Sequence, residues 1–395
     1  MKPWLACVVA VVHAADAAES FATHAAERDK TQTKRCGWVQ GLKQSGEPIT
    51  YERAPTGLAD IFSSMVTAFW YAALAGRPLA AHWPESINTI ELPRRALRNK
   101  PHRLNANETY FKRTHEAFKE TLGKRIRNAD WPSAPWALSG NRGMTQWLFD
   151  HQRPALNASG VEGDAIHAAG CVLHHLAKPH AAVYAETIAP LLEKIDKART
   201  RGPVVCIHAR TGLMPELRRN DGGKRSRPDD EMHGTRSTSI GVDDVRGVVD
   251  CAQEAEQEAG GKSSWFVAAD SASLRADFLK RFPGKIVLAD WAPDPFASYQ
   301  AGGGSRGGGR RRPGGAPDPR AMRAALARTF AEWYALSRCD YLVASRSGFS
   351  RTAAAVAVAA RGASVRYVGR LAAPCRRADA GSPTERLLVS GGAGL

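Results

Sequence analysis

The sequence predicts an α/β protein of parallel sheets flanked by helices, and three observations in its C-terminal half carry that prediction. The first is the run Val204-Val205-Cys206-Ile207, which leads without a break into His208-Ala209-Arg210-Thr211. An apolar β-prone run with no polar alternation reads as a strand buried on both faces. The second is regular alternation. Strands at 264–269, 285–289, 341–344 and 365–368 are interleaved with helical stretches at 242–258, 272–281 and 320–338 and an alanine-rich helix stopped at Gly362. Such alternation implies a Rossmann-like domain from about residue 203, helices on both faces. The third is that the strands end in polar side chains: His208 and Arg210, Asp270 and Ser271, Asp290, then Ser345, Ser347 and Ser350. Ligands of open α/β sheets bind beyond such carboxyl ends.

The length of 395 residues suits two domains, or one large one with insertions, and 43% hydrophobic content provides a substantial core. Residues 1–18 contain one lysine, a short apolar core and small residues spaced for cleavage. This reads as a signal peptide, with a short signal anchor as the alternative, since a span needs about 20 apolar residues. Residues 19–35 are polar and aperiodic, a flexible stem. The sequons at Asn107 and Asn157 agree with a lumenal or extracellular fate.

Structure should begin near Cys36-Gly37-Trp38 and form an N-terminal α/β domain over 36–201. There, Leu58, Ile61, Phe62, Met65, Val66 and Phe69 recur at helical spacing, predicting an amphipathic helix closed by Gly76 and Pro78, then a strand from Leu79. A glycine turn entering a helix, as at Gly57, can bind an anion through free N–H groups, although an ordinary capped helix looks the same. Asn141-Arg142-Gly143 is a polar turn before a helix around Trp147, and another helix covers 181–197. His174 and His175 are adjacent, point apart on a helix and lack a spaced third ligand, so packing is the better reading than metal binding. The second domain, 202–395, contains a basic loop from Gly212 to about Gly241 and a low-complexity Gly/Arg insertion at 302–317, read as disordered.

Six cysteines follow the leader, too widely spaced for a zinc ribbon or a Cys-x-x-Cys motif. One or two disulfides are expected, with Cys206 and Cys339 equally readable as buried thiols. The net charge of +16 suits nucleic acid, an anionic surface or an anionic substrate, but much of it sits in the two glycine-rich stretches. No P-loop motif is present, and no Gly-x-Gly-x-x-Gly follows the first strand of the second domain. These absences argue against a P-loop kinase and a dinucleotide dehydrogenase. The strand-end groups suit a nucleotide: an arginine can fork onto a phosphate, and serines with helix N–H groups can hold another oxygen.

These segments, in order, are the ones through which the chain resembles the fucosyltransferases that use GDP-fucose, the group holding α1,6-, α1,2- and protein O-fucosyltransferases. They are Gly57-Leu58-Ala59-Asp60, Gly76-Arg77-Pro78-Leu79, Asn141-Arg142-Gly143, Gly170 to Pro179, Ile207-His208-Ala209-Arg210, Phe266 to Ser271 and Cys339 to Arg351. The resemblance implies a GT-B-like pair of Rossmann-type domains and an inverting transfer of fucose to a glycan or protein acceptor, with no metal and no cofactor besides the donor. It implies Arg210 on the donor β-phosphate as the catalytic residue, and His208 as a donor-site histidine. Asp270 with Ser271 would lie near guanine or ribose. Ser345, Ser347, Gly348, Phe349 and Ser350 would line the phosphates, Gly57, Leu58 and Asp60 would close the cleft, and Asn141 and Arg142 would lie on the acceptor side. The place implied is the lumen of the endoplasmic reticulum or Golgi, or secretion, with membrane contact only through an N-terminal anchor. Thr211 stands where the α1,6 pattern has a second arginine, so the acceptor stays open. Asp60, Asp270 and Asp290 are base candidates by location alone. Two alternatives remain: a non-enzymatic protein binding RNA or polyanions through the Arg/Gly stretches, which no aromatic or repeated unit supports, and an inactive relative that only binds sugar nucleotide or glycan.

Overall fold

The computed structural model describes residues 35–46, 48–52, 57–86, 88–92, 102–105, 136–139, 145–211, 240–293, 319–369 and 373–378. The leader at 1–18, the stem apart from Arg35, Asn107, the turn Asn141-Arg142-Gly143, nearly all of the basic loop and the 302–317 insertion lie outside them.

The first half contains α1 (Trp38–Gly41), β1 (Ile49–Glu52), α2 (Leu58–Leu74), β2 (Leu79–His82), β3 (Ile90–Glu91), β4 (His102–Asn105), β5 (Trp136–Ser139), α3 (Thr145–Ala158), α4 (Ala165–Leu176) and β6 (Lys178–Pro179). Strands β2, β1, β5 and β4 form a parallel sheet in that order, while β3 and β6 pair antiparallel. Then come α5 (Ala181–Val183) and α6 (Ala189–Arg199), joined by a π-helical turn, Tyr184–Ile188. The sequence pattern predicts one continuous helix there. Pro190 near the start of α6 has no N–H to donate, and a wide turn accommodates the missing bond.

The second half contains β7 (Val204–Ala209), α7 (Arg246–Glu258), β8 (Ser264–Ala269), α8 (Ala272–Arg281), β9 (Ile286–Val287), α9 (Pro319–Leu336), β10 (Tyr341–Ser345), α10 (Gly348–Arg361), β11 (Ser364–Val368) and β12 (Arg376–Arg377). Its six-stranded sheet runs β12-β11-β10-β7-β8-β9, parallel except for the β11–β12 pair. All six residues of β7 are buried, as its unbroken apolar run predicts. Its side chains alternate between two cores. Val205, Ile207 and Ala209 pack with α7 and α8, whereas Val204 and Cys206 face the other way.

That second core does not stop at the boundary near residue 202. It continues into the first half through α2. The periodicity of α2 predicts one apolar stripe, yet 13 of its 17 residues are buried, because neighbours cover it on all sides. Phe62 packs 4.5 Å from Trp333 and 6.3 Å from Phe330, both on α9. On the opposite end, Trp70 meets Phe149 and donates to Thr145 Oγ1 at 3.1 Å. Helices α4 and α10 approach so closely that a Cβ on Gly170 would lie 2.0 Å from the Ala355 carbonyl oxygen. At the end of α2, Gly76 takes φ +61°, which admits glycine readily and lets the chain reverse into β2.

Three disulfides cross-link the chain: Cys36–Cys171, Cys206–Cys339 and Cys251–Cys375. This exceeds the expected one or two and removes the free-thiol reading of Cys206 and Cys339. Spacing could not pair them, since each bridge spans well over 100 residues: 135, 133 and 124. No helix among the described residues is long and apolar enough to cross a membrane.

Candidate functional site

From β7 the chain steps outward through β8 to β9, and α9 then carries it back to β10 on the other side of β7. The gap between the carboxyl ends of β7 and β10 is therefore a topological switch point, where adjacent connections run in opposite directions and leave a crevice. A cleft lies there. It is lined by His208 and Arg210 after β7, Ala269 and Asp270 after β8, Ser347, Gly348 and Phe349 at the start of α10, and Gly57 to Asp60 from the first half.

His208 bridges the gap. Its Nδ1 lies 3.1 Å from Ser345 Oγ at the end of β10, and its ring centre is 5.0 Å from that of Phe349. Burial, reinforced by the charges of Arg210 and Arg275, pushes its pKa down to about 3. The imidazole is neutral at physiological pH and a poor proton acceptor, so its work is to bind and position.

Arg210 reaches Asp270 through Nε, 3.3 Å from Oδ2, as an ion pair without an aligned hydrogen bond. Its side chain is partly exposed, and its terminal nitrogens bond to nothing among the described residues. The other Asp270 oxygen accepts from both the backbone N and Oγ1 of Thr211, each at 2.8 Å. Thr211 is fully buried. Where the resemblance registers only a missing second arginine, the structure gives the threonine a job: it fixes the carboxylate that orients Arg210.

The serines divide into two groups. Ser347 lines the cleft and caps α10, accepting from Phe349 N at 3.3 Å. Ser271, Ser345 and Ser350 are buried behind the cleft wall. Ser271 caps α8 through Leu274 N, Ser345 holds His208, and Ser350 donates to the Ser345 carbonyl at 3.1 Å. Leu58 is buried in the first turn of α2, beside exposed Asp60. A Cβ on Gly348 would stand 3.1 Å from Ala59 Cβ, so the N-termini of α2 and α10 meet closely across the two halves.

Asp290 does not join the site. Strand β9 has just two residues, so Asp290 falls beyond the sheet, 73% exposed and paired with Lys194. Asn141 and Arg142 lie outside the described residues. Among the described residues no group of three potential metal ligands comes together, and His174 and His175 belong to the last turn of α4.

Sequence reasoning missed the far wall: Arg275, Trp291, Arg328, Thr329 and Glu332. Arg275 donates through Nε to the Ala269 carbonyl at 2.8 Å and through one terminal nitrogen to both Glu332 oxygens, at 2.8 and 2.9 Å. Trp291 Nε1 also donates to Glu332, at 3.0 Å. Burial pushes the Glu332 carboxyl above its usual range, and the Arg275 contacts oppose that rise. One signal was available. Glu332 interrupts the apolar stretch Phe330-Ala331-Glu332-Trp333, and an acid buried in a helix needs a partner.

No family model matches the chain, and no curated protein matches it by sequence. Solved structures do. A mutant of Arabidopsis thaliana FUT1 in complex with GDP is similar at a TM-score of 0.51 and 12% identity, over 88% of this chain and 78% of that one. NodZ α-1,6-fucosyltransferase co-crystallised with GDP aligns at 0.44 and 13%, over 82% and 95%. The same enzyme soaked with GDP-fucose aligns at 0.46 and 13%, over 84% and 98%. Of these, FUT1 exceeds a TM-score of 0.5, and its likeness establishes the fold: a GT-B-like α/β arrangement of helix-flanked parallel sheets.

Proposed function

We propose that this protein is a glycosyltransferase that moves fucose from GDP-fucose to a glycan or protein acceptor, with inversion and without a metal. The observation that carries the reading is Arg210. It stands at the carboxyl end of a central strand, at a switch point, anchored through Nε by Asp270 while its terminal nitrogens remain available in the cleft. That arrangement suits a diphosphate, whose charge grows as the sugar departs. A donor already oriented stabilises that charge without reorganising. The N-terminus of α10, with Ser347 and Gly348 on the cleft, turns the positive end of its helix dipole to the same crevice. The fold shared with GDP-bound FUT1 supports the nucleotide.

Neutral His208 contacts the donor rather than taking the acceptor proton. Of the three carboxylates weighed as base, Asp290 is outside the cleft and Asp270 is turned to Thr211 and Arg210, whereas Asp60 is exposed at the cleft's edge where an acceptor would approach, and it is our candidate base. Three disulfides suit an oxidising compartment, in keeping with a lumenal or secreted protein.

A thermal-shift comparison of GDP, UDP and ADP tests the donor, followed by a hydrolysis and transfer assay with GDP-fucose. GDP at a hundred times its dissociation constant should stabilise the protein by about 2.7 kcal/mol. Arg210→Ala should abolish both that shift and turnover while leaving the fold intact. Equal responses to the three nucleotides would overturn the donor assignment, and GDP binding without any turnover would reduce the protein to a binding relative.

A further inference from the structure

We propose that Arg328 is a second anion ligand of the cleft and provides the net positive charge that a nucleoside diphosphate requires; this rests on the nucleotide-sugar reading above. Among the described residues, the charged groups lining the cleft are three arginines, Arg210, Arg275 and Arg328, and three carboxylates, Asp60, Asp270 and Glu332. Two arginines are matched within the protein. Arg210 pairs with Asp270, and Arg275 grips both oxygens of Glu332. The charge of Asp60 acts on Arg351, half-buried in the first turn of α10. Arg328 has no hydrogen bond or ion pair with any of the described residues, and it is exposed.

Its position follows from the helix that carries it. Arg328 precedes Glu332 by four residues on α9, so the two share the face turned to the cleft. Neighbouring Thr329 returns its hydroxyl to the Ala325 carbonyl at 2.9 Å and does not compete for a ligand. A diphosphate ester carries two negative charges. The charges of Arg210 and Arg275 are each offset by a carboxylate, so among the described lining residues Arg328 carries the guanidinium charge that no partner offsets; its planar fork fits phosphate oxygens and would act beside the terminal nitrogens of Arg210.

The test measures binding of GDP, GMP and guanosine to the full chain, wild type against Arg328→Gln and Arg328→Lys, at about 50 and 200 mM salt. For Arg328→Gln we expect the GDP dissociation constant to rise about ten- to a hundredfold, as for loss of a charge-assisted bond. The loss should be smaller for GMP and absent for guanosine. Arg328→Lys should recover part of it, and GDP binding by Arg328→Gln should depend less on salt. Wild-type affinity for GDP in Arg328→Gln would overturn the proposal and leave the donor reading standing. An equal loss for all three ligands would also overturn it, by placing Arg328 on the base. Wild-type protein that binds none of them would overturn the donor reading itself, and this proposal with it.

Discussion

Acid should destabilise this protein through His208, by an amount that can be worked out. The folded-state pKa is held at about 3, first by burial and then by Arg210 and Arg275, whereas an unfolded chain titrates near 6.5. Below about pH 6.5 the unfolded state binds a proton that the folded state refuses, so the neutral buried imidazole stabilises the fold fully above 6.5 and progressively less as pH falls towards 3. At 1.36 kcal/mol per pH unit the cost is about 1.4 kcal/mol at pH 5.5 and about 2.7 kcal/mol at pH 4.5. His208→Asn removes the titration while its amide can still reach Ser345. At pH 7.5 it should cost roughly 1–3 kcal/mol in lost packing against Phe349. Urea denaturation of both proteins from pH 7.5 to 4.5 reads the difference, in which every other titrating group cancels to first order. The variant's deficit should shrink by about 2.7 kcal/mol across that range and close or reverse. A deficit that stays constant or widens would refute the claim that His208 is held neutral.

Two further predictions concern how the site is supported. Gly170→Ala should destabilise by roughly 3 kcal/mol, because its methyl would fall 2.0 Å from the Ala355 carbonyl oxygen and force α4 away from α10; a loss below about 1 kcal/mol in denaturant midpoint analysis would contradict that contact. Arg275→Met should cost about 3–5 kcal/mol by leaving Glu332 buried without its cation, and Arg275→Met combined with Glu332→Leu should regain most of it, since removing both charges also removes the desolvation penalty. Additive losses in that double-mutant cycle would refute the coupling of the pair.

The second half was legible where the physics is local. Six consecutive buried residues in β7 and the strand-helix alternation follow from hydrophobic pattern alone, and so does the placement of His208, Arg210 and Ser347 at strand exits. Pattern could not decide what depends on neighbours distant in the chain. Whether α2 is a one-sided or a fully buried helix depends on α9, which lies more than 240 residues later and brings Phe330 and Trp333 onto Phe62. The pairing of six cysteines depends on which strands lie side by side. Serines at strand ends look alike in sequence, yet packing turns Ser271 inward as the cap of α8 and Ser350 inward onto the Ser345 carbonyl, and leaves Ser347, the cap of α10, on the cleft.

By itself, the sequence determined an α/β protein with polar side chains, His208 and Arg210 among them, at its strand exits, because side-chain alternation and burial preference act within a few residues. Tertiary structure alone decided that β7 and β10 are neighbours, that Thr211 clamps Asp270, and that α9 brings Arg328 and Glu332 to the cleft. Those outcomes depend on the order in which strands join a sheet, which no local pattern encodes.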